Sequence, residues 1–126
     1  MGKSSSWKTS IWQVRAYVDL WSVNHFLCGC LFGGASIFLK LGFWKSFSVS
    51  TLLMILWEIF EHMLVMYEPL TNKIMDVVIG VAGFLAVWRL FPLINSFSRT
   101  VIFFALAGVF VFLEVWGFYV HLKKKE

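Results

Sequence analysis

The chain has 126 residues, 60% hydrophobic and only 14% charged, with a mean hydropathy of +0.78. Soluble domains are about 45–50% apolar, and a chain this short has too little interior to hide the excess, so a bilayer must solvate it. That excludes a soluble enzyme, a disordered tail and a secreted disulfide scaffold, and the bases behind the net charge of +4 stand at the termini and in short connections, which excludes a nucleic-acid stripe.

The expected architecture is all-α, an integral-membrane four-helix up-down bundle preceded by a short amphipathic helix. Within residues 1–22, Trp7, Ile11, Val14, Val18 and Trp21 recur three or four apart, which predicts a helix lying in the headgroup region. The opening Met1-Gly2-Lys3-Ser4-Ser5-Ser6 fits an N-myristoylation pattern, against the plainer reading of an unmodified basic start. Four apolar runs follow at 23–41, 47–65, 74–94 and 100–120, each within the roughly 17–25 residues a membrane helix needs. The connections 42–46, 66–72 (with Pro69) and 96–99 are short, so neighbouring helices run antiparallel. Residues 121–126 form a basic tail whose end, Lys123-Lys124-Lys125-Glu126, also fits a dilysine retrieval signal or simply a basic anchor.

Seven Lys and Arg fall on the side of the two termini (Lys3, Lys8, Arg15, Lys73, Lys123, Lys124, Lys125) and four on the other (Lys40, Lys45, Arg89, Arg99). The positive-inside rule therefore puts both ends in the cytoplasm, in the cytoplasmic membrane of a bacterial host or the endoplasmic reticulum of a eukaryotic one. Trp21, Trp44, Trp88, Trp116 and Tyr119 lie near span ends, as an interfacial aromatic belt would. Cys28 and Cys30 stand two apart on one span and point to nearly opposite sides, so neither a disulfide between them nor a Cys-only metal site is expected.

Ionisable groups at membrane depth need a partner, water or a purpose. Here they are His25, Glu58, Glu61, His62, Asp76 and Glu114, and with helices alternating in direction all fall in the cytoplasmic half. Lys40 and Arg89, in the opposite half, are close enough to the interface to snorkel. The stripes agree: His25, Gly29, Gly33 and Ser36 on the first span; Thr51, Glu58, His62 and Val65, with Glu61 alongside, on the second; Asp76, Gly80 and Gly83 on the third; Ala107, Glu114 and His121 on the fourth. Gly29, Gly33, Gly80 and Gly83 are small-residue packing positions, the first pair at GxxxG spacing. Glu114 is expected to pair with Arg15, His121 or a surface Lys, and Glu68 to be a solvated loop acid.

Such a cluster can bind a divalent metal ion, hold a proton for acid–base work, or pair internally as buried hydrogen bonds. A metal set would be drawn from His25, Glu58, Glu61, His62 and Asp76, and a catalytic set from His25, Glu61 and Asp76. Glu58-x-x-Glu61-His62 is not the repeated Glu-x-x-His of di-iron bundles, and the zinc-protease patterns are absent.

Asp19 to Phe26 reads DLWSVNHF, Trp57 to His62 reads WEIFEH and Asp76 to Gly83 reads DVVIGVAG. In that order these segments resemble the VanZ-like proteins and related small polytopic membrane families, over residues 19–84. The resemblance implies a multi-helix membrane fold and a cell-envelope role, and singles out Asp19, His25, Glu61 (or Glu58) and Asp76; the Arg that often precedes the third-span Asp is replaced by Asn72 and Lys73. Three functions fit the chain: a metal-assisted enzyme on a lipid or lipid-linked headgroup; a non-enzymatic envelope-modulating protein or complex subunit with a structural polar core; and a proton or cation conductor, disfavoured by the apolar outer half. The corresponding partners are a membrane lipid, a membrane protein or a second copy of the chain, and no nucleic acid.

Overall fold

The computed structural model describes residues 19–64 and 69–124. Residues 1–18 of the expected amphipathic segment, with the myristoylation pattern and Arg15, and also Val65, Glu68 and the last two residues lie outside them, while the segment's end, residues 19–22, belongs to the first membrane-length helix. The described residues form four helices: α1 (Leu20–Phe38), α2 (Phe43–Met63), α3 (Leu70–Leu90), which runs into a 3-10 turn (Phe91–Leu93), and α4 (Ser96–Lys124). All four are long and apolar enough to cross a membrane, and the described residues include no strand.

Each helix begins three or four residues before the apolar run that announces it. Hydropathy sees the apolar stretch and not the first, more polar turn ahead of it; at α1 and α4 a polar cap also satisfies a first-turn backbone N–H, whereas α2 and α3 start after Gly42 and Pro69 with no side-chain cap. At α1 the Asp19 side chain accepts from the Ser22 backbone and the Ser22 side chain from the Asp19 backbone, a complete capping box. At α4 the Asn95 side chain accepts from the Ser98 N–H at 2.8 Å. The end of α1 closes with Leu41 N–H on the Ser36 carbonyl and Lys40 N–H on Ile37, a Schellman arrangement that holds Lys40 at φ 56°. Pro92 converts the end of α3 into the 3-10 turn.

The bundle is organised around α1, which touches the other three helices, and its contact with α3 is by far the broadest. Glycine explains that contact. A Cβ on Gly29 would overlap the Gly80 carbonyl, and one on Gly83 would overlap the Phe26 carbonyl, so the two backbones lie directly against each other. The expected stripes of His25, Gly29, Gly33 and Ser36 and of Asp76, Gly80 and Gly83 are all buried there.

The face of α2 differs from the expected one. Its buried residues are Ser46, Ser50, Met54, Glu58 and Glu61, while Thr51 is half-buried and His62 exposed. The Met54 sulfur fills the space above Gly80 where a Cβ would otherwise sit, and that contact sets the rotation of α2. Trp21 also departs from expectation: it is 2% exposed, packed on Val120 and edge-on to Phe118 with 5.6 Å between rings. It sits on the helix at the centre of the bundle, facing α4, and so belongs to the core and not to an interfacial belt. Trp44, by contrast, is 74% exposed.

Adding one methyl at Gly29 or Gly83 should push α1 and α3 apart. Gly29→Ala and Gly83→Ala are expected to lower the thermal midpoint of the detergent-purified protein by the equivalent of about 1–3 kcal/mol, the usual cost of overpacking. Gly108→Ala, where a Cβ meets open space, should leave it unchanged.

Candidate functional site

Because the helices alternate in direction, the first turns of α1 and α3 and the last turns of α2 and α4 come to the same end of the bundle. His25 of α1 occupies the middle. Its Nε2 lies 2.6 Å from Glu58 Oε1, and its Nδ1 lies 2.8 Å from the Trp21 carbonyl and 3.7 Å from Asp76 Oδ2. Glu61 Oε1 accepts from Trp57 Nε1 at 2.8 Å. One ligand atom from each of His25, Glu58 and Glu61 falls within 4.8 Å of the other two, and all three residues are buried.

The neighbours of His25 determine its protons. A carbonyl can only accept, so Nδ1 must carry the hydrogen that it donates to Trp21 O. The contact of Nε2 with a carboxylate oxygen then contains one further proton, resident on the ring or on Glu58. Histidines that bind metals through Nε2 are held in this way, with Nδ1–H on a backbone carbonyl or carboxylate. Meanwhile Glu58 Oε2 and Glu61 Oε2 are buried and have no hydrogen-bond partner among the described residues. Glu58, Glu61, Asp76 and Glu114 bring four carboxyl groups to one imidazole, and Lys73 Nζ is engaged at the exposed rim with His62 Nδ1 at 3.0 Å. In a low-dielectric interior such an excess of acid needs protons or a cation to balance it.

Beside this cluster runs a second network with a different character. Ser22 Oγ donates to Asp76 Oδ1 at 2.7 Å and accepts from the Asp19 N–H at 3.2 Å, while Asn72 Nδ2 donates to Asp19 Oδ2 at 2.9 Å. It stitches the start of α1 to the start of α3. Asp76 belongs to both systems, one oxygen on Ser22 and the other facing His25.

Of the residues expected at the site, His25, Glu58 and Glu61 converge, Asp76 backs His25, and Asp19 caps α1 and anchors Asn72. Glu58 is the closest side-chain partner of His25. His62 is not brought to the cluster: one position beyond Glu61 is a 100° turn of the helix, which carries it to the exposed side. Glu114 accepts from Asn24 Nδ2 at 3.2 Å, a partner sequence reasoning did not name. Ser22, Asn24, Trp57 and Asn72 were likewise missed. Three of these had a signal: Ser22 stands three residues after Asp19, as a capping box requires, and Trp57 and Asn72 each stand four residues before an acid of the site, hence on its face.

Between α2 and α4 a cleft of about 500 Å³ reaches the cluster. Leu53 and Trp57 line one wall, Phe110 and Phe118 the other, and Asn24 and His25 lie on α1 between them. No family model, curated protein or solved structure matches this chain.

Removing Asp76 leaves the Ser22 hydroxyl without its acceptor and takes a buried carboxyl from beside His25. Asp76→Ala should cost about 3–5 kcal/mol, as when one member of a buried pair is deleted, and Ser22→Ala about 1–3 kcal/mol. Asp76→Asn keeps an oxygen for the Ser22 hydroxyl and should lie closer to wild type, and Lys73→Ala at the rim should shift stability by less than about 1 kcal/mol. Thermal unfolding in detergent measures the ranking.

Proposed function

We propose that this chain is a small membrane enzyme in which His25, Glu58 and Glu61 hold a divalent metal ion and act on a lipid or lipid-linked headgroup close to the cytoplasmic leaflet. The observation that carries this reading is the convergence of one imidazole nitrogen and two carboxylates, each with an unpaired buried oxygen, beside an apolar cleft. A mixed nitrogen and oxygen donor set suits a borderline first-row cation such as zinc or manganese. A bound ion of this kind supplies Lewis acidity and an activated water. The chain's own contribution is orientation: Trp21 O fixes the His25 tautomer, Trp57 holds Glu61, and Asp76 faces the ring from behind. Resemblance of the DLWSVNHF, WEIFEH and DVVIGVAG segments to VanZ-like proteins supports an envelope role on the same footing.

Elemental analysis of the purified protein tests the metal. Wild type should hold close to one ion per chain, and Glu58→Gln and Glu61→Gln should lose it while accumulating normally in the membrane. Loading the ion displaces the proton shared by His25 and Glu58, so apparent metal affinity should fall as the pH is lowered. A metal-free wild type after reconstitution, or full function in both Gln variants, overturns the proposal.

A second reading, a non-enzymatic subunit or envelope-modulating protein, is favoured by the Asp19–Ser22–Asp76–Asn72 network, which joins α1 to α3 with no need of a ligand. Under it, function follows protein abundance in every variant. Both readings share one topology, with the termini in the cytoplasm. Tags at the two ends of the chain should show the same sidedness in protease protection of sealed vesicles.

A further inference from the structure

The α2–α4 cleft is graded in polarity along its length. Its polar residues Asn24, His25 and Glu114 all lie at the cluster end, beside the rings of Trp57 and Phe118, and toward mid-depth it presents Leu31, Leu53 and Phe110. That gradient has the direction of a lipid in the adjoining leaflet, head toward the helix ends and chain toward the middle of the bilayer. A volume of about 500 Å³ lies within the range of small-ligand sites.

The head end has a definite chemical demand. Asn24 is 1% exposed, and its amide nitrogen donates one hydrogen bond to Glu114 Oε1. Asn24 Oδ1 and Glu114 Oε2 are both buried and both without a hydrogen-bond partner among the described residues. Both are acceptors. A phosphate or carboxylate would oppose them with further acceptors, and a hydroxyl brings one donor. A primary ammonium brings three donors and the positive charge that the local excess of carboxylates calls for.

We propose that this cleft binds a single-chain amphiphile with a primary ammonium head, the head on Asn24 and Glu114 and the chain between α2 and α4. This rests on the reading of the site as one that receives lipid, and it is independent of the metal, which would use the other carboxylates, Glu58 and Glu61.

The probes are dodecylamine, dodecanol and dodecanoate, which share a chain and differ in head, presented to the intact purified chain in neutral detergent and followed by native mass spectrometry. Wild type should retain one dodecylamine at concentrations where the other two are lost. Glu114→Gln should weaken dodecylamine retention about tenfold or more, the equivalent of one charge-assisted hydrogen bond. Leu31→Trp, which fills the chain end, should reduce it as well. Equal retention of all three probes, no retention of dodecylamine, or unchanged retention in a folded Glu114→Gln overturns the proposal. If Glu114→Gln does not fold, the ranking of the three probes on wild type decides alone. Glu58→Gln and Glu61→Gln should keep dodecylamine, so an amine-selective protein without metal sinks the metal reading alone, and a metal-loaded protein without amine selectivity sinks this one alone.

Discussion

The contact of α1 with α3, backbone on backbone at Gly29, Gly80 and Gly83, is the constraint from which the rest of the bundle follows. Lipid tails are as apolar as leucine, so helices in a bilayer gain little from burying hydrophobic surface against each other and associate through close packing and hydrogen bonds. Here the glycines permit the approach, and the approach brings Ser22 within 2.7 Å of Asp76 and leaves His25 between Asp76 and α2. Met54 then seats over Gly80, and its position fixes which side of α2 turns inward. Glu58 reaches His25 because Met54, one turn earlier, is held there. The site is thus a product of helix packing that starts one turn from His25 and Asp76.

The two polar systems sharing Asp76 differ in how well they are satisfied. On the Asp19 side each carboxylate meets a side-chain donor across α1 and α3, Asp76 from Ser22 and Asp19 from Asn72. The Glu58 side does not close, since unpaired carboxylate oxygens remain at Glu58 and Glu61. Where evolution needs only to fix helix register, a matched network suffices; an unmatched one beside a cleft is a place where something else is accommodated. Asp76 couples them, presenting its second oxygen to the ring that faces Glu58.

Much of this was legible in the sequence, for reasons particular residues make clear. Apolar runs of membrane-spanning length and short connections define the four helices, and the i, i+4 and i, i+3 steps from His25 to Gly29 and from Asp76 to Gly80 and Gly83 define the α1–α3 face. Helix starts were misplaced because hydropathy is blind to caps such as Asp19 and Asn95. The face of α2 was misjudged because it depends on what Met54 meets, and an apolar residue in an apolar helix announces nothing about direction. The same ambiguity put His62 among the site residues, although a single step along a helix separates the interior from the rim. Asn24 escaped notice since a polar residue near a span end needs no explanation until its partner, ninety positions away, is seen.

The order in which the helices are made adds a consequence of its own. The candidate spans grow more apolar from α1 to α4, and α1 is the most enclosed of the four while α4 is the least. The ribosome therefore makes α1, the helix least able to rest in lipid alone, ahead of the other three, and some fifty further residues must follow Ser22 before Asp76 emerges to accept its hydroxyl. Until then α1 carries polar groups that hydrocarbon cannot satisfy. Its residence in or beside the translocon should last until α3 arrives, which makes assembly of this bundle a pairing of non-adjacent helices during synthesis and not a sequential laying-down of neighbours.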